Sequence, residues 1–468
     1  MKLPMAPPPL KQLAESVFSQ ENAPDRYMKI INAAADPAPG GRYRHWHKLR
    51  YLTPPDDLTT EEWWLGIKTA RRALYRALPL LDREGHAFRY ALVDPGLSML
   101  HEVDKQASGA IKGSDQITDP QTRDTYLIKS LVEESITSSQ LEGASTTREV
   151  AKDMLQRGRP PRDRSEQMIY NNYKAMLFIR DLTNTPLTPD LVFELHRILT
   201  QDALDDPTAA GRFRREDENI CVVDETGNTL HVPPAADELP ERLGKLCAFA
   251  NDHGGEPFVH PVVRSILLHF WLAYDHPFVD GNGRTARALF YWSMAREDYW
   301  LCEYISISRV LRKAPGKYSR AYLYTETDDN DVTYFILHQL GVVIEAIREL
   351  HKYLARKTLE LKKTQELVQG SQLLNAILNH RQLVLINHAL RNPHFLYTID
   401  SHRRSHRVSY QTARTDLLQL ADMQLLDQGK AGKAFVFSAP ENLRQRLGKL
   451  PGDEGGGARL AGTKRAPR

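Results

Sequence analysis

The sequence predicts a mainly helical protein with one small β-hairpin and, at its end, a winged helix-turn-helix domain. Three observations carry this. Apolar residues recur at helical spacing through much of the chain, as in Ile128, Val132 and Ile136, or Ile266, Phe270 and Tyr274. Two β-prone runs, Asn219 to Val223 and Leu230 to Pro234, flank a Thr226-Gly227-Asn228 turn. Over residues 372–440, apolar helical segments are followed by a strand-like run, Ala434-Phe435-Val436-Phe437.

At 468 residues the chain has room for two or three domains, and 41% hydrophobic with 26% charged residues is ordinary for a globular protein. Cys221, Cys247 and Cys302 are scattered without paired spacing, so a disulfide framework or zinc site is not expected and the cytoplasm is the expected compartment. No apolar run is long enough to span a bilayer, and the proline-rich start, Met1 to Pro9, lacks the apolar core of a signal peptide. The net charge of +3 is uneven: from Ser371 onward 15 Lys and Arg face 7 Asp and Glu, and the rest of the chain is acidic. An anionic macromolecular partner is therefore expected at the C-terminal end.

In chain order, residues 1–39 are expected to be flexible apart from a short helix near Leu10 to Ser19. Residues 40–120 read as a helical region. Thr59 and Glu62 make a capping box, and Trp64, Ile67, Leu74, Leu78 and Leu81 step along one face of the helix that follows. Trp46, Trp63 and Trp64 read as packing residues. The helix through Ile128, Val132 and Ile136 runs out at Ser138-Ser139-Gln140-Leu141-Glu142-Gly143, where Gly143 suits a left-handed C-terminal position. Ser138 and Glu142, four apart, share a face. After a basic loop, Arg157 to Arg164, helices are expected at Ser165 to Leu182, Thr188 to Thr200 and Ala235 to Asp252. The hairpin (219–234) lies between the last two.

Pro261 suits the first turn of a buried helix running to Tyr274, and Arg287 to Trp292 belongs to a second apolar helix. Between them lies His276-Pro277-Phe278-Val279-Asp280-Gly281-Asn282-Gly283-Arg284-Thr285-Ala286-Arg287. Gly281 and Gly283 let the backbone turn and approach a ligand, and their N–H groups with those of the new helix make an anion nest. Arg284 and Arg287, three apart, suit a polyphosphate. Asp280 is a hard oxygen ligand fit for a phosphate-bound magnesium ion, and His276 is a base available near neutral pH. His260 and His269, upstream, read as capping or core histidines.

Beyond the second apolar helix, Thr333 to about Gln369 reads as one long helix leading to another domain (linker 346–371), with a face available to a second chain. In the C-terminal domain, Gln382 to Leu390 and Thr398 to Arg404 are helices, Ser409 is the N-cap candidate of a recognition helix, and Ala431 to Phe437 is a wing-like strand. Arg403, Arg404, Arg407, Arg414, Lys430 and Lys433 are candidates for phosphate contacts, although winged helices also serve protein contacts. Residues 441–468 are expected to be a disordered basic tail.

The run from His276 to Arg287 resembles the signature of the Fic family, HPFx(D/E)GNGRxxR, at every fixed position. The resemblance covers roughly Tyr126 to Leu340 and implies a Fic-type helical bundle (121–345) that transfers AMP from ATP to a Ser, Thr or Tyr hydroxyl of a target protein, self-modification included. By position, His276 would deprotonate the acceptor and Asp280 would hold Mg2+ on the α- and β-phosphates. Gly281, Asn282 and Gly283 would cradle phosphates, with Thr285 and Ala286 in the same binding turn. Arg284 and Arg287 would hold the β- and γ-phosphates. Ser138 to Gly143 resembles the family's inhibitory helix, (S/T)xxxE(G/N), here within 126–143, in which the glutamate, Glu142, pairs with the second arginine, Arg287. The hairpin resembles the family's flap, so Ile220, Val222 and Val223 would align a target strand. Tyr318 would contact the nucleoside; Ser319 stands where the family usually has a second tyrosine. The resemblance also admits removal of AMP by a water positioned on Glu142. The C-terminal charge supports a different reading, a DNA-binding regulator with a nucleotide-sensing core.

Overall fold

The helix Pro261–Asp275 is apolar on nearly every side, which only a central position satisfies. Pro261 starts it, the His260 ring accepts from Val262 N–H at its N-cap, and His276 ends it in a left-handed conformation. Its neighbour Asn282–Arg296 is buried almost as completely, and the two pack along their lengths. Val262, Ile266, Phe270, Trp271, Phe278 and Phe290 form the heart of the largest core. Fully burying a side chain of this size contributes about 1.5–3 kcal/mol, so the short loop between the helices hangs from two firmly held ends.

The computed structural model describes residues 3–107, 120–224, 226–252, 254, 257–369, 377–392, 395–406, 408–431 and 434–447. The chain divides into two compact units, Met1–His351 and Lys352–Arg468. Among the described residues it is mainly helical with three small antiparallel sheets, and no helix is long and apolar enough to cross a membrane.

Two expectations for the N-terminal part are corrected. Residues 1–39 are not simply flexible: helices Leu10–Phe18 and Ala23–Ala33 bury Leu13, Val17 and Ile30 in a small core with Trp46, Trp63, Trp64 and Ile67. Nor is 40–120 all helical. The helix Thr60–Leu74, with its capping box at Thr59 and Glu62, stops before Leu78 and Leu81. Those residues lie in β1 (Arg76–Leu81), paired antiparallel with β2 (Ala87–Tyr90). Pro79 cannot continue a helix, and Gly85, at φ +85°, supplies the turn. Arg89 at the end of this hairpin bonds to Asn330 O and Val332 N, while Tyr43 and Tyr75 both donate to Asp331 Oδ2. The N-terminal region is thus bolted to the turn that precedes the long helix Thr333–Gln369.

The helix Pro120–Leu141 packs on Arg164–Asp181 and Ile307–Lys313. Its buried Glu134 accepts from Ser306 Oγ at 2.7 Å and Ser308 N at 3.1 Å, placing a carboxylate at the start of Ile307–Lys313. An additional helix, Arg148–Arg157, precedes the basic loop, in a stretch to which the sequence reading assigns no element. Two strands, β3 (Val222–Val223) and β4 (Thr229–His231), form the expected hairpin, and Glu225 in its turn lies outside the described residues.

In the second unit the order is helix His380–Arg391, β5 (Tyr397–Thr398), helices Ile399–His406 and Tyr410–Asp422, then the hairpin β6 (Asp427–Ala431) and β7 (Ala434–Ser438). The sheet order is β5-β7-β6. Asp416, buried on the third helix, accepts from Asn379 Nδ2 and Arg381 Nε, each at 2.7 Å, and meets His402 Nε2 at 3.1 Å, so one carboxylate joins three helices. Ser409 is the expected N-cap, accepting from Thr412 N–H. Arg407, Lys433 and residues 448–468, hence most of the expected tail, lie outside the described residues.

Candidate active site

The loop 276–281 joins the two central helices and is held at several points by neighbouring segments. His276 adopts φ +46° and ψ +55°. That region costs a residue with a Cβ about 1–2 kcal/mol, so the surrounding bonds must hold it. His276 N–H donates to Leu272 O, Arg214 Nε donates to His276 O at 2.8 Å, and Arg214 N–H donates to Pro277 O at 2.8 Å. The half-buried imidazole has Nδ1 3.3 Å from Ala273 O. A carbonyl only accepts, so Nδ1 carries the proton and Nε2 keeps its lone pair. Burial pushes the ring's pKa down to about 4, so it is neutral at ordinary pH.

Asn282 closes the loop from inside. Its Oδ1 accepts from Phe278 N–H at 2.9 Å and its Nδ2 donates to Phe278 O at 2.8 Å. Its side chain is therefore spent on the loop, which leaves only its backbone for a ligand. Gly281 sits at φ +83°, and a Cβ there would meet Thr200 Cγ2 at 2.9 Å. Thr285 Oγ1 donates to Gly281 O at 2.9 Å, and Ala286 is wholly buried, so both serve the turn from below. The first N–H groups of the helix Asn282–Arg296 have no intrahelical acceptor and present an anion-accepting end.

Two buried arginines flank that end. Arg284 donates from Nη1 to Leu199 O at 2.9 Å and lies 3.3 Å from Asp280 Oδ2; its buried Nε has no partner among the described residues. Arg287 is clamped by the helix Pro120–Leu141 and the turn after it: Nε donates to Ser138 Oγ at 2.9 Å, and Nη2 to Ser138 O at 3.0 Å and Glu142 Oε1 at 2.8 Å. Gly143 holds φ +94° just after Glu142. A Cβ on Gly283 would overlap the Glu142 carboxylate, which therefore lies directly against the helix's first turn. An anion approaching Arg287 here meets a carboxylate already in place.

Asp280 is 38% exposed in its side chain, with Oδ1 on Gly281 N–H and Oδ2 near Arg284 and Arg164. One open carboxylate beside an anion nest fits magnesium, which takes one or two protein carboxylates and fills its shell with phosphate oxygens and water. Tyr318 belongs to an inner ring cluster: its hydroxyl meets His269 Nε2 at 2.8 Å and Tyr322 OH at 3.2 Å. Burial raises its pKa and the charge of Arg287 opposes this, which puts the phenol within the field of the site. In the hairpin, Val222 pairs with His231 and Val223 with Thr229; Ile220 and Val222 are half-buried and Val223 is 51% exposed. His231 anchors it, with Nε2 2.7 Å from Tyr274 O and Nδ1 2.8 Å from Glu326.

Three residues that hold the site are absent from the sequence reading as site residues. Arg214 ties the loop to the root of the hairpin. Glu134 docks the helix leading to Glu142. His196 stacks on Phe278 at 3.7 Å between centroids and bonds to Asp280 O at 2.8 Å. His260 and His269 are a cap and a core residue, as expected.

Fold and site together define a helical protein with an anion-accepting loop between its two central helices, stopped by a carboxylate from a third. Residues 186–294 match the model of the Fic/DOC family, so the chain carries a Fic/DOC domain over that stretch. Glu142 and its helix lie outside the matched residues. The chain is similar to the protein adenylyltransferase Fic of Nematostella vectensis, 37% identical over 103 residues, which is 22% of each chain. It is also similar to that of Drosophila virilis, 34% identical over 108 residues, or 23% of this chain and 20% of the other. The chain thus spans about a fifth of the length of these curated relatives. Among solved structures it resembles a Fic family protein from Desulfovibrio desulfuricans G20, at 19% identity and a TM-score of 0.48 over 75% of this chain and 98% of that one. Fic-1 from C. elegans is matched at 19% identity and a TM-score of 0.46, over 75% and 90%.

Proposed function

We propose that this protein transfers AMP from ATP to a hydroxyl side chain of a target protein, and that Glu142 holds it inactive until its helix yields. The observation that carries this is the ion pair between Glu142 and Arg287 at the mouth of an anion-accepting loop that also holds a neutral histidine. The similarity to proteins named protein adenylyltransferase supports the nucleotide and the reaction.

In this reading the triphosphate lies over the first turn of Asn282–Arg296. Backbone N–H groups of residues 281–283 bind its phosphate oxygens, and Arg284 and Arg287 balance its charge. His276 Nε2 takes the proton from the target hydroxyl, whose oxygen attacks the α-phosphorus in line. The bond from that phosphorus to the bridging oxygen breaks, and pyrophosphate leaves. A magnesium ion held by Asp280 would neutralise charge on the phosphates as the leaving group departs. Val223, exposed at the hairpin, and Val222 beside it offer backbone to an extended target segment, which favours geometry over sequence in target choice. With Glu142 in place, a carboxylate occupies the Arg287 Nη2 donor and the space against Gly283 that the outermost phosphate would take.

The test is mass spectrometry of the Glu142→Gly protein after incubation with mixed nucleotides and Mg2+. It reads donor, product and acceptor together. A +AMP adduct on Ser, Thr or Tyr is expected; no adduct with any nucleotide overturns the reading.

A second reading applies to the C-terminal unit. Its helix–strand–helix–helix–hairpin order supports a winged helix, and Arg403, Arg404, Gln411, Arg414, Thr415 and Lys430 are all exposed. This supports docking to duplex DNA through phosphates. A mobility shift that weakens with salt and vanishes on deletion from Ser371 is expected, and no binding at low salt rejects it.

A further inference from the structure

His196 lies about 80 residues before the loop, yet its ring meets the loop at both Phe278 and Asp280. Its ring is nearly parallel to Phe278, at 10° and 3.7 Å between centroids. One nitrogen, Nδ1, accepts from Gly211 N–H at 2.9 Å. A backbone N–H only donates, so Nδ1 is unprotonated and the proton sits on Nε2. That Nε2–H donates to Asp280 O at 2.8 Å. Thr200, four residues on, donates to His196 O and sets its methyl group against Gly281. Gly211 begins the segment that continues through Arg214, which holds the His276 and Pro277 carbonyls, into the hairpin.

We propose that His196 is a positioning residue that fixes the backbone of Asp280, and hence the aim of its carboxylate, while tying that setting to the root of the hairpin through Gly211. This rests on the transferase reading and deepens it: one imidazole would connect the cation-holding side of the loop with the side that receives the target. The two ring nitrogens make the two jobs separable. A glutamine at 196 reaches the Asp280 carbonyl with its amide nitrogen but offers Gly211 no acceptor. An asparagine presents an oxygen near the Nδ1 position but does not reach Asp280.

The experiment compares His196→Gln and His196→Asn in the full chain carrying Glu142→Gly. Calorimetry of ATP binding at graded Mg2+ is read beside kcat and KM for the acceptor. Removing a residue that orients a ligand typically weakens metal affinity about 10–100-fold. His196→Asn is therefore expected to raise the Mg2+ needed for half-maximal ATP binding by about tenfold or more and to leave acceptor KM close to the parent's. His196→Gln is expected to keep the parent's Mg2+ requirement and to raise acceptor KM. Equal Mg2+ dependence and equal KM in both variants, with only a lowered melting temperature, would overturn the proposal. An inactive Glu142→Gly parent would sink the transferase reading alone, because the calorimetric comparison reads ATP and Mg2+ without turnover.

Discussion

Replacing Glu142 by glycine removes one charge-assisted hydrogen bond, that from Arg287 Nη2 at 2.8 Å. The arginine side chain is 2% exposed and the glutamate 28% exposed, so the pair is partly screened on one side only. Hydrogen bonds to charged groups contribute about 1.5–3 kcal/mol. Because the carboxylate also lies against Gly283, its loss frees both the guanidinium and the space over the helix's first turn. If that contact is what disfavours the ATP-binding arrangement, its removal shifts the population by about ten- to a hundredfold. Ser138 still holds Arg287 through Nε, so the arginine keeps its place and only its outward donor is released. The assay is transfer of label from α-labelled ATP at limiting nucleotide, with ATP affinity measured by calorimetry in parallel. A gain of about tenfold or more in both is expected. Unchanged ATP affinity and unchanged transfer would refute the argument that Glu142 and ATP compete for Arg287.

Four further outcomes follow from the geometry. His276→Ala in the Glu142→Gly background should abolish transfer while leaving ATP affinity within about twofold, since the loss lies in the proton transfer and not in phosphate binding. On the pH profile of kcat/KM, burial has lowered the His276 pKa to about 4, so the neutral base is present above that value and is lost as pH falls through it. An acid limb near pH 6.5 instead would place the base elsewhere. Gly283→Ala should displace Glu142 by steric overlap and yet fail to restore ATP binding, because the new methyl group fills the anion nest; calorimetry separates it from Glu142→Gly. Gly66→Ala should lower stability by about 1–3 kcal/mol, seen in denaturant melts. A Cβ there would strike Ala34 and meet Ile30 O at 3.0 Å, where the helices Ala23–Ala33 and Thr60–Leu74 approach.

Legibility followed distance along the chain. His276, Asp280, Gly281, Gly283, Arg284 and Arg287 fall within one turn of loop and helix, so their shared chemistry shows in a dozen letters. Glu142 shows only as a helix end with a carboxylate until a resemblance supplies its partner, since nothing local requires an arginine across the fold. Where local pattern misled, a local contradiction was present. Leu78 and Leu81 continue a helical spacing from Leu74, but Pro79 between them forbids the helix and Gly85 offers a hairpin turn. The helix Ala23–Ala33 is short and its pattern weak, although Asn22 and Pro24 mark its start.

By itself, the amino-acid sequence determined what short-range forces decide: which stretches wind into helices, where Gly281 and Gly143 let the backbone reverse, and which atoms are able to bind phosphate or take a proton. Tertiary structure alone decided what those atoms face. It set Ser138 and Glu142 on Arg287, spent the Asn282 side chain on Phe278, and brought His196 and Arg214 from other segments to hold the loop. The physical reason is that such contacts draw their energy from burial and directional bonding between segments far apart in sequence. No local pattern records a partner that arrives only when the core closes.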